Sequence, residues 1–233
     1  MSSVNDRPWS ARSAQAGGLR VWDLPVRLFH WSLVLLVIVS VTTAQIGGNA
    51  MQIHEWSGFT ILALVLFRVL WGLVGGGHAR FADFVRGPRA VLSYARSLWR
   101  GPAQHYAGHN PLGGWMVVAL LTCLLVQTGT GLFSNDDVMT EGPLVKWISK
   151  DTSDFISGIH EANSKLLLAL VALHVAAAIY YLVAKRDNLI RPMITGRKTP
   201  PAGETWPEPR PARLWLAAAL IGVTGIAVYL LVR

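Results

Sequence analysis

The chain has 233 residues, of which 52% are hydrophobic and only 15% are charged. This composition excludes intrinsic disorder, which requires low hydrophobicity and high charge, and it disfavours a soluble domain, in which about a quarter of the residues are charged. The net charge of +8 leaves a nucleic-acid partner to be considered, so the positions of the charges matter. The single cysteine, Cys123, excludes a disulfide framework within the chain.

Five apolar stretches follow one another along the chain, and each is close to the roughly 20 residues that cross a bilayer as a helix. They are residues 24–46, 53–74, 113–133, 159–184 and 214–232. Asp23 is the predicted N-cap of the first helix, and Pro25 lies in its opening turn, where proline costs little. The first stretch is too long for a cleaved signal peptide. The sequence therefore predicts an all-α integral membrane protein.

The predicted helices divide the chain into four parts. Residues 1–20 are an N-terminal tail, residues 21–198 hold the first four helices, residues 199–212 are a linker, and residues 213–233 hold the fifth helix. The linker contains five prolines, so we expect it to be extended and to separate the fifth helix from the rest. The small residues of that helix, which suit packing against a partner or a second copy in a homo-oligomer, are Ala218, Gly222 and Gly225.

The charged residues predict how the chain crosses the membrane. Residues 1–27, 75–112 and 185–213 carry net charges of +2, +4 and +4, whereas residues 134–157 carry a net charge of −3. Alternating helices put the three basic segments on one side of the membrane and the acidic loop on the other. By the positive-inside rule, the N-terminus is cytoplasmic, and the acidic loop and the C-terminus face outward. The basic charge is thus a topology signal, and no nucleic-acid partner is predicted.

Four of the seven histidines lie in or at the edges of the predicted helices. Ionisable residues at membrane depth are costly and are commonly functional. His160 and His174 are 14 residues apart, about 21 Å and nearly four full turns, so both project from one helix face. Depth sorts the four into an outer pair, His54 with His160, and an inner pair, His30 with His174. Two stacked bis-imidazole sites are what two b-type haems require.

A zinc site and a proton relay are the chemical alternatives. Zinc needs three or four ligands that converge on one ion, which ligands about 21 Å apart cannot provide. A proton relay or transporter favours carboxylates within the membrane, whereas Glu55 and Glu161 lie at its outer edge. Both glutamates follow a proposed ligand directly, so solvation and a role beside that ligand are both open. For any single histidine, the alternatives are a hydrogen bond to a neighbouring helix and a solvated position at the interface.

Three further residues, Arg27, Arg68 and His109, are candidates to contact a haem propionate or a quinone. Arg68 lies 14 residues after His54, on the same helix face and near the depth of the inner pair. Arg27 lies three residues before His30. For both arginines, snorkelling to the interface is the alternative, and for His109 it is a solvated position in the loop. The helix glycines, which either allow close packing or leave room for a porphyrin edge, are Gly58, Gly129 and Gly131.

Taken together, these residues resemble the bacterial cytochrome b561 and nickel-hydrogenase b-type cytochrome family over roughly residues 20–198. The matching features are Arg27-Leu28-Phe29-His30-Trp31, His54 with Gly58, Phe67-Arg68-Val69-Leu70-Trp71-Gly72, residues 80–89 and 108–114, the His160 to His174 spacing, and Arg186-Asp187-Asn188-Leu189. The resemblance implies a four-helix bundle that holds two haems b, with His30, His54, His160 and His174 as axial ligands. The fifth helix carries no histidine and departs from the four-helix pattern.

The resemblance also implies electron transfer between a periplasmic redox protein, such as a hydrogenase or a c-type cytochrome, and membrane quinone. We expect the acidic loop 134–157 to face that partner and the inner haem to serve the quinone. One branch of the family oxidises superoxide and reduces quinone, which makes a superoxide oxidase the alternative. That enzyme needs a small positive outer pocket, for which Lys146 and Lys165 are the candidates. A haem-free membrane anchor or transporter is the second alternative.

Overall fold

The computed structural model describes residues 18–100, 105–138, 140–201 and 203–233. The predicted tail, residues 1–20, lies outside this range except for its last three residues. The helices of the described residues are α1 (Leu24–Ile46), α2 (Met51–Val74), α3 (Phe81–Phe84), α4 (Pro88–Arg100), α5 (Pro111–Gly131), α6 (Lys150–Val183), α7 (Ile190–Thr195) and α8 (Leu214–Val232). Two short strands, β1 (Leu19–Arg20) and β2 (Arg197–Lys198), pair antiparallel.

Five of these helices, α1, α2, α5, α6 and α8, are long and apolar enough to cross a membrane, which confirms the predicted all-α membrane fold. The start of α1 is the predicted one, because the Asp23 carboxylate accepts a hydrogen bond from the Val26 amide at 2.8 Å. Helix α5 begins in the same way, since the Asn110 side chain accepts from the Gly113 amide at 2.8 Å. A proline lies in the first turn of each helix, Pro25 in α1 and Pro111 in α5, where the missing N–H of proline is no loss.

Helix α6 is longer than the sequence pattern predicts. Its 34 residues begin at Lys150, where Ser149 caps the helix, rather than at residue 159. A helix of that length measures about 51 Å, whereas the hydrocarbon core is about 30 Å thick. The first turns of α6 therefore extend past the apolar layer. They carry part of the acidic segment 134–157, which the sequence analysis treats as a loop.

The spanning helices pack around α2, which lies against α1, α5 and α8, while α6 packs along α5. Within the described residues, neither α1 nor α2 packs closely along α6. The side chains of Val65 and Trp71 on α2 are completely buried at the centre of the core. The bundle is thus a compact group around α2, with α6 standing apart from α1 and α2.

The fifth spanning helix is packed against the bundle, contrary to the expectation that the linker separates it. Helix α8 buries Ala217, Thr224 and Val228 against the bundle, chiefly along α2. The linker is packed as well, since a side chain at Gly77 would meet Pro209 at 2.5 Å. The small residues of α8 face the other way. Ala218 and Gly222 are exposed, and nothing lies within 4 Å of a side-chain position at Gly222 or Gly225.

The two ends of the bundle differ in charge. We call one end the basic end; it holds the start of α1 and residues 75–100, 105–110, 184–201 and 203–213. We call the other end, which holds residues 47–50, 132–138 and 140–149, the acidic end. The described part of the predicted loop 75–112 contains two helices, α3 and α4.

Residues 76–84 lie across the basic end, and we call this segment the cap. Glycines of the neighbouring elements make room for it. A side chain at Gly72 would lie 2.1 Å from the Phe81 ring, and one at Gly114 would lie 2.8 Å from the backbone oxygen of Phe84. The cap is thereby seated on two spanning helices, α2 and α5.

Candidate functional site

The structure brings four membrane histidines together in two pairs. The rings of His30 on α1 and His174 on α6 have their centres 6.4 Å apart at the basic end. The rings of His54 on α2 and His160 on α6 are also 6.4 Å apart, toward the acidic end. These are the two pairs that helix depth predicts. One pair spans the space between α1 and α6, and the other spans the space between α2 and α6.

This spacing suits two imidazoles that bind one metal ion from opposite sides. With metal–nitrogen bonds of about 2.0–2.1 Å and ring centres about 1.1 Å beyond the nitrogens, the two centres lie about 6.2–6.4 Å apart. Both observed separations lie within that range. Among the residues that the structure describes, no group of three or more His, Cys, Asp or Glu side chains is placed to hold a metal ion. Each pair thus offers two imidazole nitrogens as ligands for one metal ion.

Hydrogen bonds orient both rings of the pair near the acidic end. His54 Nδ1 lies 2.9 Å from the Ser40 carbonyl oxygen, and His160 Nδ1 lies 3.0 Å from the Gln127 carbonyl oxygen. A carbonyl oxygen only accepts, so Nδ1 donates in each contact and Nε2 keeps its lone pair. In metal-binding histidines, the ring nitrogen that does not bind the metal commonly donates a hydrogen bond to a carbonyl or carboxylate oxygen. This bond fixes the tautomer and the ring orientation.

The surroundings of His160 agree with this tautomer. Asn163 donates to the Gln127 side-chain oxygen at 2.7 Å, which turns the Gln127 amide nitrogen toward His160 Nε2 at 2.9 Å. That amide nitrogen is a donor, so Nε2 is the acceptor. Gly131 leaves space for the ring, because a side chain there would lie 3.1 Å from it.

Arg68 is enclosed at the basic end, and the snorkelling interpretation is wrong for it. The residue is only 3% exposed, and its guanidinium carbon lies 5.3 Å from the centre of the Phe81 ring in the cap. The nearby Asp23 carboxylate accepts a hydrogen bond from the Trp71 indole at 3.0 Å. Burial raises the pKa of Asp23, against the lowering effects of the Val26 amide, the Trp71 indole and the Arg68 charge.

His109 is packed among aromatic rings rather than solvated, so the alternative of a solvated loop position is wrong. The centres of the Trp22 and Phe84 rings each lie 4.7 Å from the centre of its imidazole. Burial, together with the positive charges of Arg68 and of His174 when protonated, lowers the pKa of His109 to about 3. His109 therefore lies within electrostatic range of both Arg68 and the histidine pair at the basic end.

Six buried side-chain nitrogens at the basic end have no hydrogen-bond partner among the described residues. They are Arg27 Nε, His30 Nδ1, Arg68 Nη1, His78 Nε2, Arg80 Nε and His109 Nδ1. Buried polar atoms are nearly always paired, and each unpaired one costs about 1–3 kcal/mol. Arg27 does use another nitrogen, Nη2, to donate to the Ile194 carbonyl. Six such nitrogens at one end indicate a place for a ligand rich in acceptor oxygens.

Comparison with known proteins identifies the family. The model of the family described as prokaryotic cytochrome b561 matches residues 21–196. The chain belongs to this family. It is 25% identical to a probable Ni/Fe-hydrogenase B-type cytochrome subunit of Bradyrhizobium diazoefficiens, over 76% of the chain and 85% of the relative. The chain is 27% identical to the subunit of the same name from Azotobacter vinelandii, over 76% of the chain and 86% of the relative.

A third relative is the probable Ni/Fe-hydrogenase 1 B-type cytochrome subunit of Escherichia coli K12. It is 23% identical over 77% of the chain and 90% of the relative. No solved structure matches the chain at a significant level. Since the family is one of b-type cytochromes, haem b is the cofactor that it implies.

The residues of this cytochrome b561 fit haem b. The histidine pairs have the separation of two axial ligands. Close helix packing does not explain Gly58 and Gly129, because nothing lies within 4 Å of a side-chain position at either residue. The space beside both glycines is open, as a porphyrin edge would require. The unpaired nitrogens of Arg27, Arg68 and Arg80 are cationic donors, the kind that binds carboxylates such as haem propionates most strongly.

The remaining charged candidates from the sequence are two lysines and two glutamates. Lys165 pairs with Glu161 at 2.8 Å on an exposed face of α6, and Lys146 lies over the ring of Trp147. Each lysine therefore contacts a neighbour on its own segment. Glu55 is half-buried near the acidic end.

Sequence reasoning missed two members of the unpaired set, His78 and Arg80. Both belong to the cap, which has no helical or strand periodicity to predict its position. The available signal was the run Gly75-Gly76-Gly77 directly before His78, because glycines there permit close contact with other chain segments.

Proposed function

We propose that this chain is a dihaem b-type cytochrome that carries electrons across the bacterial inner membrane, between a periplasmic redox partner and the quinone pool. The observation that carries the proposal is the presence of two histidine pairs, each 6.4 Å between ring centres, on opposite halves of α6. The axial ligands would be His54 with His160 for one haem and His30 with His174 for the other.

The haems, when bound, supply the one-electron chemistry. The chain supplies their positions. His160 and His174 lie 14 residues apart on one helix, so the two sites are about 21 Å apart along its axis. The Ser40 and Gln127 carbonyls accept from Nδ1 of His54 and His160, so that Nε2 of each ring carries the lone pair that would bind iron. At His160, iron would take the place of the Gln127 side-chain amide, which lies 2.9 Å from Nε2. Arg27, Arg68 and Arg80 offer unpaired donors to propionates at the basic end.

The orientation in the membrane follows from charge. By the positive-inside rule we assign the basic end to the cytoplasm, with the N-terminus on that side and the C-terminus in the periplasm. Quinone would react at the basic end, near the pair formed by His30 and His174. Arg27, Arg68 and His109 are the sequence candidates to contact a haem propionate or the quinone, and all three have a buried, unpaired nitrogen there.

The acidic end would receive the periplasmic partner. Its loop carries Asp136, Asp137 and Glu141, and the exposed ring of Trp147 lies in the same loop. Complementary charge speeds association, especially at low salt, so a basic docking face suits this surface. The matched relatives are named as cytochrome subunits of Ni/Fe hydrogenases. We therefore propose a hydrogenase-like protein as the partner, ahead of a c-type cytochrome.

Reduction of the haems by a quinol tests this function. We expect the purified, oxidised protein to develop a reduced b-type α-band when it is mixed with menadiol, a soluble naphthoquinol. Dithionite gives the fully reduced reference spectrum. A protein that shows the band with dithionite but never with menadiol or another quinol would contradict the quinone assignment. A protein with no α-band under either condition would contradict the cytochrome assignment itself.

A further inference from the structure

We propose that His78 and His109 bind the oxygens of the quinone head group through their unpaired ring nitrogens, and that the cap is the element that brings His78 there. This inference rests on the proposed function and names residues of its quinone site. His78 was not among the candidates from the sequence. Its Nε2 and the Nδ1 of His109 are buried and unpaired in the described structure.

The fold holds His78 firmly in place. It lies in a short turn, Gly77–Ala79, whose last residue is buried in the core. The ring presses against Gly108, where an added side chain would lie 3.0 Å from it. Since Gly108 directly precedes His109, the cap and the segment before α5 meet at the two imidazoles.

The surroundings of the two imidazoles suit a flat aromatic ligand. The Trp22 ring lies 4.7 Å from His109 and 6.5 Å from His78, between ring centres. The Phe84 ring lies 4.7 Å from His109. Ligand sites are mostly apolar and contain a few well-placed polar groups, and two imidazoles beside aromatic rings match that description.

The unpaired nitrogens divide by chemistry into two groups. Arg27, Arg68 and Arg80 are permanent cations with donors only, which suits carboxylates. His78 and His109 are neutral, because burial lowers the pKa of both. A neutral imidazole has one N–H and one lone pair. It can therefore donate to a quinone carbonyl or accept from a quinol hydroxyl, whereas a guanidinium can only donate.

The test compares His78→Phe and His109→Phe, which keep an aromatic ring but remove its nitrogens, with wild type. His105→Phe is the matched control, since His105 is a half-buried histidine in the same loop. The readouts are haem content, the midpoint potentials of both haems, the Kd of menadione by calorimetry and the KM for menadiol. His78→Gln restores a donor and is the rescue variant.

We expect each phenylalanine variant to keep the haem content and both potentials of wild type but to raise the menadione Kd and the menadiol KM about tenfold, the effect of losing one hydrogen bond. His105→Phe should match wild type, and His78→Gln should recover most of the affinity. An unchanged Kd in both phenylalanine variants would overturn the inference, and so would loss of haem in His78→Phe with haem retained in His78→Gln. Absence of haem from the wild type would instead contradict the proposed function.

Discussion

The guanidinium carbon of Arg68 lies 5.3 Å from the centre of the Phe81 ring, so a cation within a spanning helix contacts the cap directly. Cation–π contacts of this kind stabilise by up to about 2 kcal/mol when the pair is removed from water. Phe81 reaches this position because Gly72, one turn after Arg68 on α2, has no side chain to obstruct the ring. The contact joins the core of the bundle to the segment that carries His78 and Arg80.

Substitution of Gly72 tests this seating of the cap. An alanine side chain at Gly72 would lie 2.1 Å from the Phe81 ring, so the ring must move. Overpacking of this kind costs about 1–3 kcal/mol. We expect Gly72→Ala to lower the melting temperature of the protein in detergent. The control is Gly222→Ala on α8, where nothing lies within 4 Å, and equal melting temperatures for the two variants would contradict the packing described.

Loss of the Arg68 charge should lower the midpoint potential of the haem at the basic end. A nearby positive charge favours the reduced haem, which carries one positive charge fewer than the oxidised haem. We expect Arg68→Gln to lower that potential by about 30–60 mV, where 59 mV is a tenfold change for a one-electron couple. Redox titration of the α-band measures it. Arg191→Gln, at an exposed arginine of the same end, is the control. If the haem at the basic end had the same midpoint potential in Arg68→Gln and Arg191→Gln, a position of Arg68 beside this haem would be contradicted.

The packing of the fifth spanning helix can be tested with two adjacent alanines. Ala217 is buried against the bundle and Ala218 is exposed. We expect Ala217→Phe to destabilise the protein by about 1–3 kcal/mol through overpacking, and Ala218→Phe to have little effect on thermal stability. The measurement is the loss of the haem spectrum on heating in detergent. A larger effect at Ala218 would mean that α8 presents the opposite face to α2.

The sequence predicts most of the bundle because spanning helices have a strong and simple signal. Two helices, α1 and α8, have the predicted bounds, and the Asp23 cap is where the pattern places it. The start of α6 was wrong by nine residues, because its first turns are polar and lie beyond the apolar layer. Hydropathy shows which part of a helix is apolar, but it does not show where the helix begins when its first turns are polar and lie in water.

The packing of the chain on itself was harder to predict. The proline-rich linker suggests a separate fifth helix, yet α8 packs along α2 and the linker lies against Gly76 and Gly77. The packing of His109 was not predicted either, because its aromatic neighbours come from distant parts of the sequence. Contacts between loops depend on tertiary geometry, and no local pattern along one chain reports them.

Single histidine variants should separate the two haem sites. We expect His174→Ala to lose the haem at the basic end and His160→Ala to lose the other, so that each variant keeps about half of the wild-type haem. The reason is that removal of one axial ligand leaves the iron with a single imidazole. His105→Ala is the control and should keep the full haem content. Full haem retention in His174→Ala, with normal expression, would exclude His174 as a ligand.

The haem-to-protein ratio of the purified wild-type chain tests the central claim most directly. Haem is measured as the pyridine haemochrome, and protein by quantitative amino-acid analysis of the same sample. The two histidine pairs predict two haems b for each chain, with low-spin bis-imidazole spectra. A ratio of one in fully loaded protein, or no haem at all, would contradict the account.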